Sequence, residues 1–137
     1  MDFRMWAFLS ALFAGLTALL AKKGVEGVPP NLAVAVRVAV VLIFAVCIAL
    51  VTRQTKVNEL SSRTWWFLVA SGIATGASWI CYFRALQLGP VSKVAPIDKL
   101  SFVLAMVFGV IFLKEKVTPS LLGGAVLIVA GVLLTLR

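Results

Sequence analysis

Apolar residues run along this chain in blocks long enough to cross a membrane, and short polar stretches separate them. A helix needs ~20 apolar residues, rising 1.5 Å each, to cross ~30 Å of hydrocarbon. Five stretches meet that requirement: Arg4 to Ala21, Asn31 to Val51, Thr64 to Leu88, a fourth starting between Ser92 and Pro96 and ending at Leu113, and Pro119 to Leu136. Their ends carry helix punctuation. Asn31 follows Pro29-Pro30 as a candidate cap, Gly89-Pro90 closes the third stretch, and Pro119 follows Thr118 at a first helical position.

The connections are Lys22 to Pro30, Thr52 to Arg63, Gly89 to Val91 and Lys114 to Thr118, each too short for a soluble domain. Backbone groups in hydrocarbon must be paired within their own helix. The expected fold is therefore all-α, a polytopic bundle of five transmembrane helices forming one domain over residues 1–137. Small residues at four-residue spacing mark candidate packing faces in lipid. They are Ala7, Ala11 and Gly15, flanked by Ser10, Ala14 and Ala18; Gly72 and Gly76; and Ser101, Ala105 and Gly109, with Gly124 and Gly131 seven apart.

Composition agrees with this pattern: 62% of the residues are hydrophobic, 13% are charged, and the mean hydropathy is +1.09. The net charge of +8 raises the question of a nucleic-acid partner. The cations sit mostly between and at the ends of the apolar blocks, with no basic helix face carrying interleaved aromatics, so nucleic acid is not expected. Cys47 and Cys81 lie inside apolar blocks and read as small buried hydrophobes. With no histidine, the commonest metal ligand is missing, and no metal site is expected. The first block ends in Lys22-Lys23 without a small-x-small cleavage pattern and reads as a retained span.

An odd number of spans puts the termini on opposite sides. Trp6, Trp65 and Trp66 then share the interface near the N-terminus, as an aromatic belt does. That side carries Arg4, Arg53, Lys56, Arg63, Lys114 and Lys116; the other carries Lys22, Lys23, Arg37, Arg84, Lys93, Lys99 and Arg137. Six cations against seven is nearly even. Excluding the three within spans leaves six against four, a slight bias to a cytoplasmic N-terminus.

Arg37, Arg84, Asp98 and Lys99 are the charges within or near spans, and alternating helix direction puts all four in one half of the bilayer. Intramembrane charges point to function. Against that, both arginines lie within snorkelling reach of an interface, and a helix starting at Pro96 would place Asp98 in its first turn, where its dipole favours a carboxylate. Asp98 shares a face with Ser101 and Ala105, so it is expected to face protein and to need Arg37 or Arg84 as a partner. Lys99 aligns with Val103, Met106 and Val110 and is expected to snorkel from a lipid-facing surface. Ser71, Thr75, Ser78 and Tyr82 form one polar face of the third helix, flanked by Trp79 and Phe83, suited either to interhelical hydrogen bonds or to a solute path.

Several of these features together resemble an EamA-type module of the drug/metabolite transporter superfamily. They are Lys22-Lys23 after the first helix, Arg37 in the second, the run Tyr82-Phe83-Arg84-Ala85-Leu86, the segment Leu113-Lys114-Glu115, and Gly123-Gly124 in the last helix. The resemblance implies a multi-pass secondary carrier for a small metabolite or drug-like solute in the inner (plasma) membrane. Larger members usually hold two such modules in opposite orientations; one module alone implies a dimer, either an antiparallel homodimer or a heterodimer with a second small membrane protein. The chain departs from the family at Phe102, near where a mid-helix proline is usual, and at Asp98-Lys99, where apolar residues are usual. The candidate substrate-binding residues are Arg37, Ser78, Trp79, Tyr82, Arg84 and Asp98. No catalytic residue, cofactor or enzymatic activity is expected, since no nucleophile–base pair, metal cluster or cofactor motif is present. The rival class is a non-transporting membrane partner or regulatory subunit.

Overall fold

The computed structural model describes residues 2–137. Its elements are α1 (Phe3–Gly24), α2 (Pro30–Val51), a single 3-10 turn (Val57–Glu59), α3 (Ser62–Leu88), α4 (Val91–Asp98), α5 (Leu100–Leu113) and α6 (Pro119–Thr135), with no strand among the described residues. Four spans, with α4 and α5 counted together as Val91–Leu113, are long and apolar enough to cross a membrane. At 17 residues, α6 stands at the short end of the ~17–25 that a span requires.

Local chemistry accounts for the helix ends. Pro30 occupies the first position of α2 behind Pro29, so Asn31 lies inside the helix rather than capping it. The two prolines fix φ for helix entry without a side-chain cap. Two residues earlier than Thr64, α3 begins at Ser62, because Ser61 Oγ accepts the Thr64 N–H at 3.2 Å. The start of α6 is as the spacing predicts: Thr118 Oγ1 accepts the Leu121 N–H at 3.2 Å, with Pro119 next in line. Thr118→Ala is expected to lower stability by about 1 kcal/mol and Thr118→Ser by much less, read from unfolding in detergent. At the end of α2, Arg53 takes a left-handed φ of 56° while the Gln54 N–H reaches the Ala49 carbonyl at 2.9 Å.

The fourth span carries a one-residue turn at Lys99. Pro96 has no N–H for the helical ladder. Three residues on, the Lys99 N–H is shared between the carbonyls of Ala95 (3.3 Å) and Pro96 (3.0 Å), and the Phe102 N–H closes a tight turn on Lys99 O at 3.0 Å. The span starts at Val91, before the Ser92–Pro96 window, so Asp98 ends α4 instead of opening a helix.

Two compact units make up the chain: residues up to Leu19 with Leu88–Arg137, and Leu20–Gln87. In the first, α5 and α6 form a hairpin, and α4 also packs against α6. Lys114 adopts φ 56°, and the N–H groups of Lys114 and Glu115 converge on the Gly109 carbonyl. The Glu115 carboxylate folds over Gly109, with Oε2 2.7 Å from where a Cβ would stand. Val103, Met106 and Val110 line the α5–α6 groove with Leu121 and Ala125, while Ser101 and Ala105 are exposed. Val103, Met106 and Val110 thus face α6 rather than lipid alone, and of the small-residue stripe only Gly109 is buried.

In the second unit, Ala21, Val25, Val34, Phe83 and Leu86 are buried. The α1–α2 connection turns at Gly27, whose φ is +74°. Elsewhere the apolar side chains face outward: Leu42, Ile43 and Phe44, consecutive on α2, are 62%, 64% and 66% exposed. Cys47 and Cys81 are exposed as well, contrary to their reading as buried. Surfaces this apolar are at home in hydrocarbon, where outward-facing side chains incur no penalty. Of the small-residue stripes only Ala18 and Gly109 are buried. Among the described residues, nothing within its own unit comes within 4 Å of a Cβ built at Gly15, Gly72, Gly76, Gly124 or Gly131, so these faces make no helix contact there.

Candidate substrate site on helices two and three

The strongest polar arrangement inside the spans joins α2 to α3. Arg37 lies two turns into α2, ~10 Å along its axis from Pro30 at 1.5 Å per residue. Trp79 and Phe83 are four apart on α3 and therefore share a face. The Arg37 guanidinium carbon stands 4.2 Å from the Trp79 ring centroid and 5.4 Å from that of Phe83. A cation over an aromatic face is attracted by the ring quadrupole, and more strongly where water is scarce. Tyr82 adds an edge-to-face contact with Phe83, ring centroids 6.5 Å apart, and is an electrostatic neighbour of Arg37.

One turn further along α3, a polar clamp secures the turn after α1. Lys22 Nζ donates to the Leu86 carbonyl at 2.6 Å. Gln87 Nε2 donates to the carbonyls of Val28 at 2.6 Å and Val25 at 3.3 Å. Arg84 Nη1 in turn donates to Gln87 Oε1 at 3.2 Å. Arg84 thus orients the clamp, and its guanidinium is exposed. Gln87→Leu keeps the volume but strips two carbonyls of their donor. It is expected to cost about 1–3 kcal/mol, read from unfolding in detergent. Gln87→Glu, which cannot donate to carbonyls when ionised, should cost at least as much.

The expected site residues therefore divide. Arg37, Trp79 and Tyr82 come together; Ser78 precedes Trp79 on an exposed face; Arg84 turns to Gln87. Thr75 Oγ1 donates to the Ser71 carbonyl at 2.9 Å, so part of the polar face is satisfied within α3 itself. Asp98 belongs to the other unit, half-buried, with Oδ2 3.4 Å from Lys99 Nζ. Adjacent side chains of an unbroken helix diverge; the turn at Lys99 lets this pair meet. Lys99 Nζ also stands 5.1 Å from the Phe102 ring centroid, beside the Asp98 carboxylate. Sequence reading missed Lys22 and Gln87. Gln87 carried a signal nonetheless, as an amide within an apolar span, three residues after Arg84.

Comparison with known proteins bears on the whole chain. Residues 4–137 match the EamA-like transporter family. A protein of Sinorhizobium sp. named "Uncharacterized transporter in cobO 3'region" is 47% identical over 134 residues, which cover 97% of this chain and 95% of that protein. No solved structure matches. Apolar helices long enough to span a bilayer, polar groups held within them and a family match along nearly the full length lead to one assignment: this chain is a multi-pass membrane protein that belongs to the EamA-like transporter family.

Proposed function

We propose that the chain is the subunit of a secondary-active carrier that moves a small metabolite or drug-like solute across the inner (plasma) membrane. The observation that carries this reading is the Arg37–Trp79–Phe83 stack, a charge held inside an apolar span by aromatic faces. A charge within an apolar span is costly and points to function. Ser78, Tyr82 and Arg84 on α3 supply further polar groups along the solute path. In this scheme the Asp98–Lys99 pair, at the turn in the fourth span, is the proton-coupling element, since Asp98 is the one carboxylate within Val91–Leu113.

Two features support assembly as a dimer, antiparallel in the leading arrangement. Five spans leave one module with opposed ends, and the faces at Gly15, Gly72 and Gly131 are each open within their own unit. Small residues let the backbones of two helices approach closely in lipid.

The test is uptake by proteoliposomes containing only the purified chain, under an imposed pH gradient, with a panel of labelled amino acids and organic acids. Gradient-dependent uptake of at least one solute, reduced to the equilibrium level by Asp98→Asn, is the expected result. Uptake that requires a second membrane protein would favour the partner-subunit reading. Cysteine labelling at both termini in whole cells tests the pairing: mixed orientation fits the antiparallel homodimer, and a single orientation rules it out.

A further inference from the structure

We infer that Arg37 presents its guanidinium edge to an anionic group of the solute, a carboxylate or phosphate, so that the carried class is organic anions or zwitterions. The inference rests on the carrier reading and narrows it. A guanidinium has two binding surfaces, its flat face and its in-plane edge of N–H donors. The Arg37 guanidinium carbon stands over the Trp79 ring, 4.2 Å from its centroid. Within its own unit the guanidinium makes no hydrogen bond or ion pair with the described residues, although the residue is half-buried.

The chain offers little to neutralise that edge. It has 5 acidic residues against 13 basic ones. Within the unit Leu20–Gln87 the carboxylates are those of Glu26, 3.8 Å from Lys23 Nζ, and Glu59, 2.8 Å from Lys56 Nζ. Each is therefore engaged elsewhere. An arginine stacked on an aromatic face is fixed in orientation, so its edge forms a bidentate fork for a planar oxyanion without further loss of side-chain freedom. A ring on the same solute would find Tyr82, half-exposed and a neighbour of Arg37, beside it. A lipid headgroup phosphate offers the same chemistry, so the test must separate the two sources.

Trp79 is its own reporter. In a full-length W6F/W65F/W66F chain in dodecyl maltoside, which contains no phosphate, Trp79 emission is titrated with benzoate, benzamide and benzylamine. Saturable binding of benzoate at least tenfold tighter than benzamide or benzylamine is expected. R37Q should abolish that preference, and R37K, a point charge without the fork, should retain part of it. Circular dichroism establishes that each variant is folded. Equal responses to the three probes, or a benzoate preference that survives R37Q, overturns the inference. Loss of the benzoate response on adding phosphatidylcholine assigns the edge to lipid phosphate and also overturns it. The two readings fail separately: benzoate selectivity without any uptake removes the carrier, and uptake without anion selectivity removes only the solute class.

Discussion

Leu86→Ala is expected to destabilise the chain by about 2–4 kcal/mol, whereas Leu42→Ala should change stability by less than about 0.5 kcal/mol. Both replace leucine with alanine in a span. Leu86 is 0% exposed and Leu42 is 62% exposed. In water the hydrophobic effect would reward burying either. In lipid it does not, because acyl chains solvate a leucine as well as protein does. What remains is packing: an alanine at position 86 leaves a void that neither lipid nor water fills, at about 24 cal/mol per Å³ of cavity. Position 42 already faces acyl chains, which close over the missing carbons. The site adds a second reason. The Leu86 carbonyl holds Lys22 at 2.6 Å, and the neighbouring Gln87 holds the turn at Val25 and Val28, so loosening here frees the end of α1 as well. Leu86→Met, which nearly conserves volume, should cost under about 1.5 kcal/mol. Unfolding of the purified protein in mixed micelles, followed by circular dichroism, measures all three. Equal losses at positions 42 and 86 would refute the packing account.

The same contrast explains which parts of the fold were legible in the sequence. Spans were legible because the cost of backbone polar groups in hydrocarbon imposes a length, and composition displays that length directly. Ends were legible where proline and hydroxyl residues set them, as at Thr118-Pro119. Helix faces were not. In a soluble helix the apolar stripe points inward, but a span is apolar all round, and the remaining cue, small residues at intervals of four, marks only the capacity for close approach. At Ser101 and Ala105 that capacity is unused within their unit, where Val103, Met106 and Val110 line the groove against α6 instead. Pro96 suits a first turn and marks a possible start of the span; in the structure it lies within α4, which begins at Val91 and ends at Asp98.

At the candidate site, the sequence exposed the charges and hid their partners. Arg37 stood out because any arginine in a span does, yet its stacking on Trp79 depends on how α2 meets α3, which no periodicity specifies. Asp98 and Lys99 were separated by assuming a straight helix through them. Gln87 and Lys22 went unassigned because an uncharged amide and a lysine at a helix end have ordinary explanations, interfacial position and topology. Their hydrogen bonds to main-chain carbonyls emerge only once the turn around Gly27 has brought Val25 and Val28 back to α3.

Trp79→Ala is expected to cost about 2–3 kcal/mol and to reduce uptake by more than tenfold, while Trp79→Phe retains most of both. Two contributions add in the alanine variant: the lost contact surface, and an attraction between cation and ring worth ~2 kcal/mol where water is excluded. The second separates from the first in a double-mutant cycle with Arg37→Leu. Leucine removes the charge and keeps an apolar side chain beside the ring, so in that background Trp79→Ala should lose only its contact term. A coupling of about 1–2 kcal/mol between the two positions follows. The effect on transport has a different origin from the effect on stability. With alanine at position 79 the guanidinium loses the face that orients it, and the long side chain is free to swing along the helix toward the interface. The charge survives and its aim does not. Arg37→Lys should therefore resemble Trp79→Ala in transport while remaining close to the parent in stability, because an ammonium still meets the ring but presents no fork. Additivity of the two positions within about 0.3–0.5 kcal/mol, together with undiminished uptake in Trp79→Ala, would show that the stack neither holds nor aims the arginine.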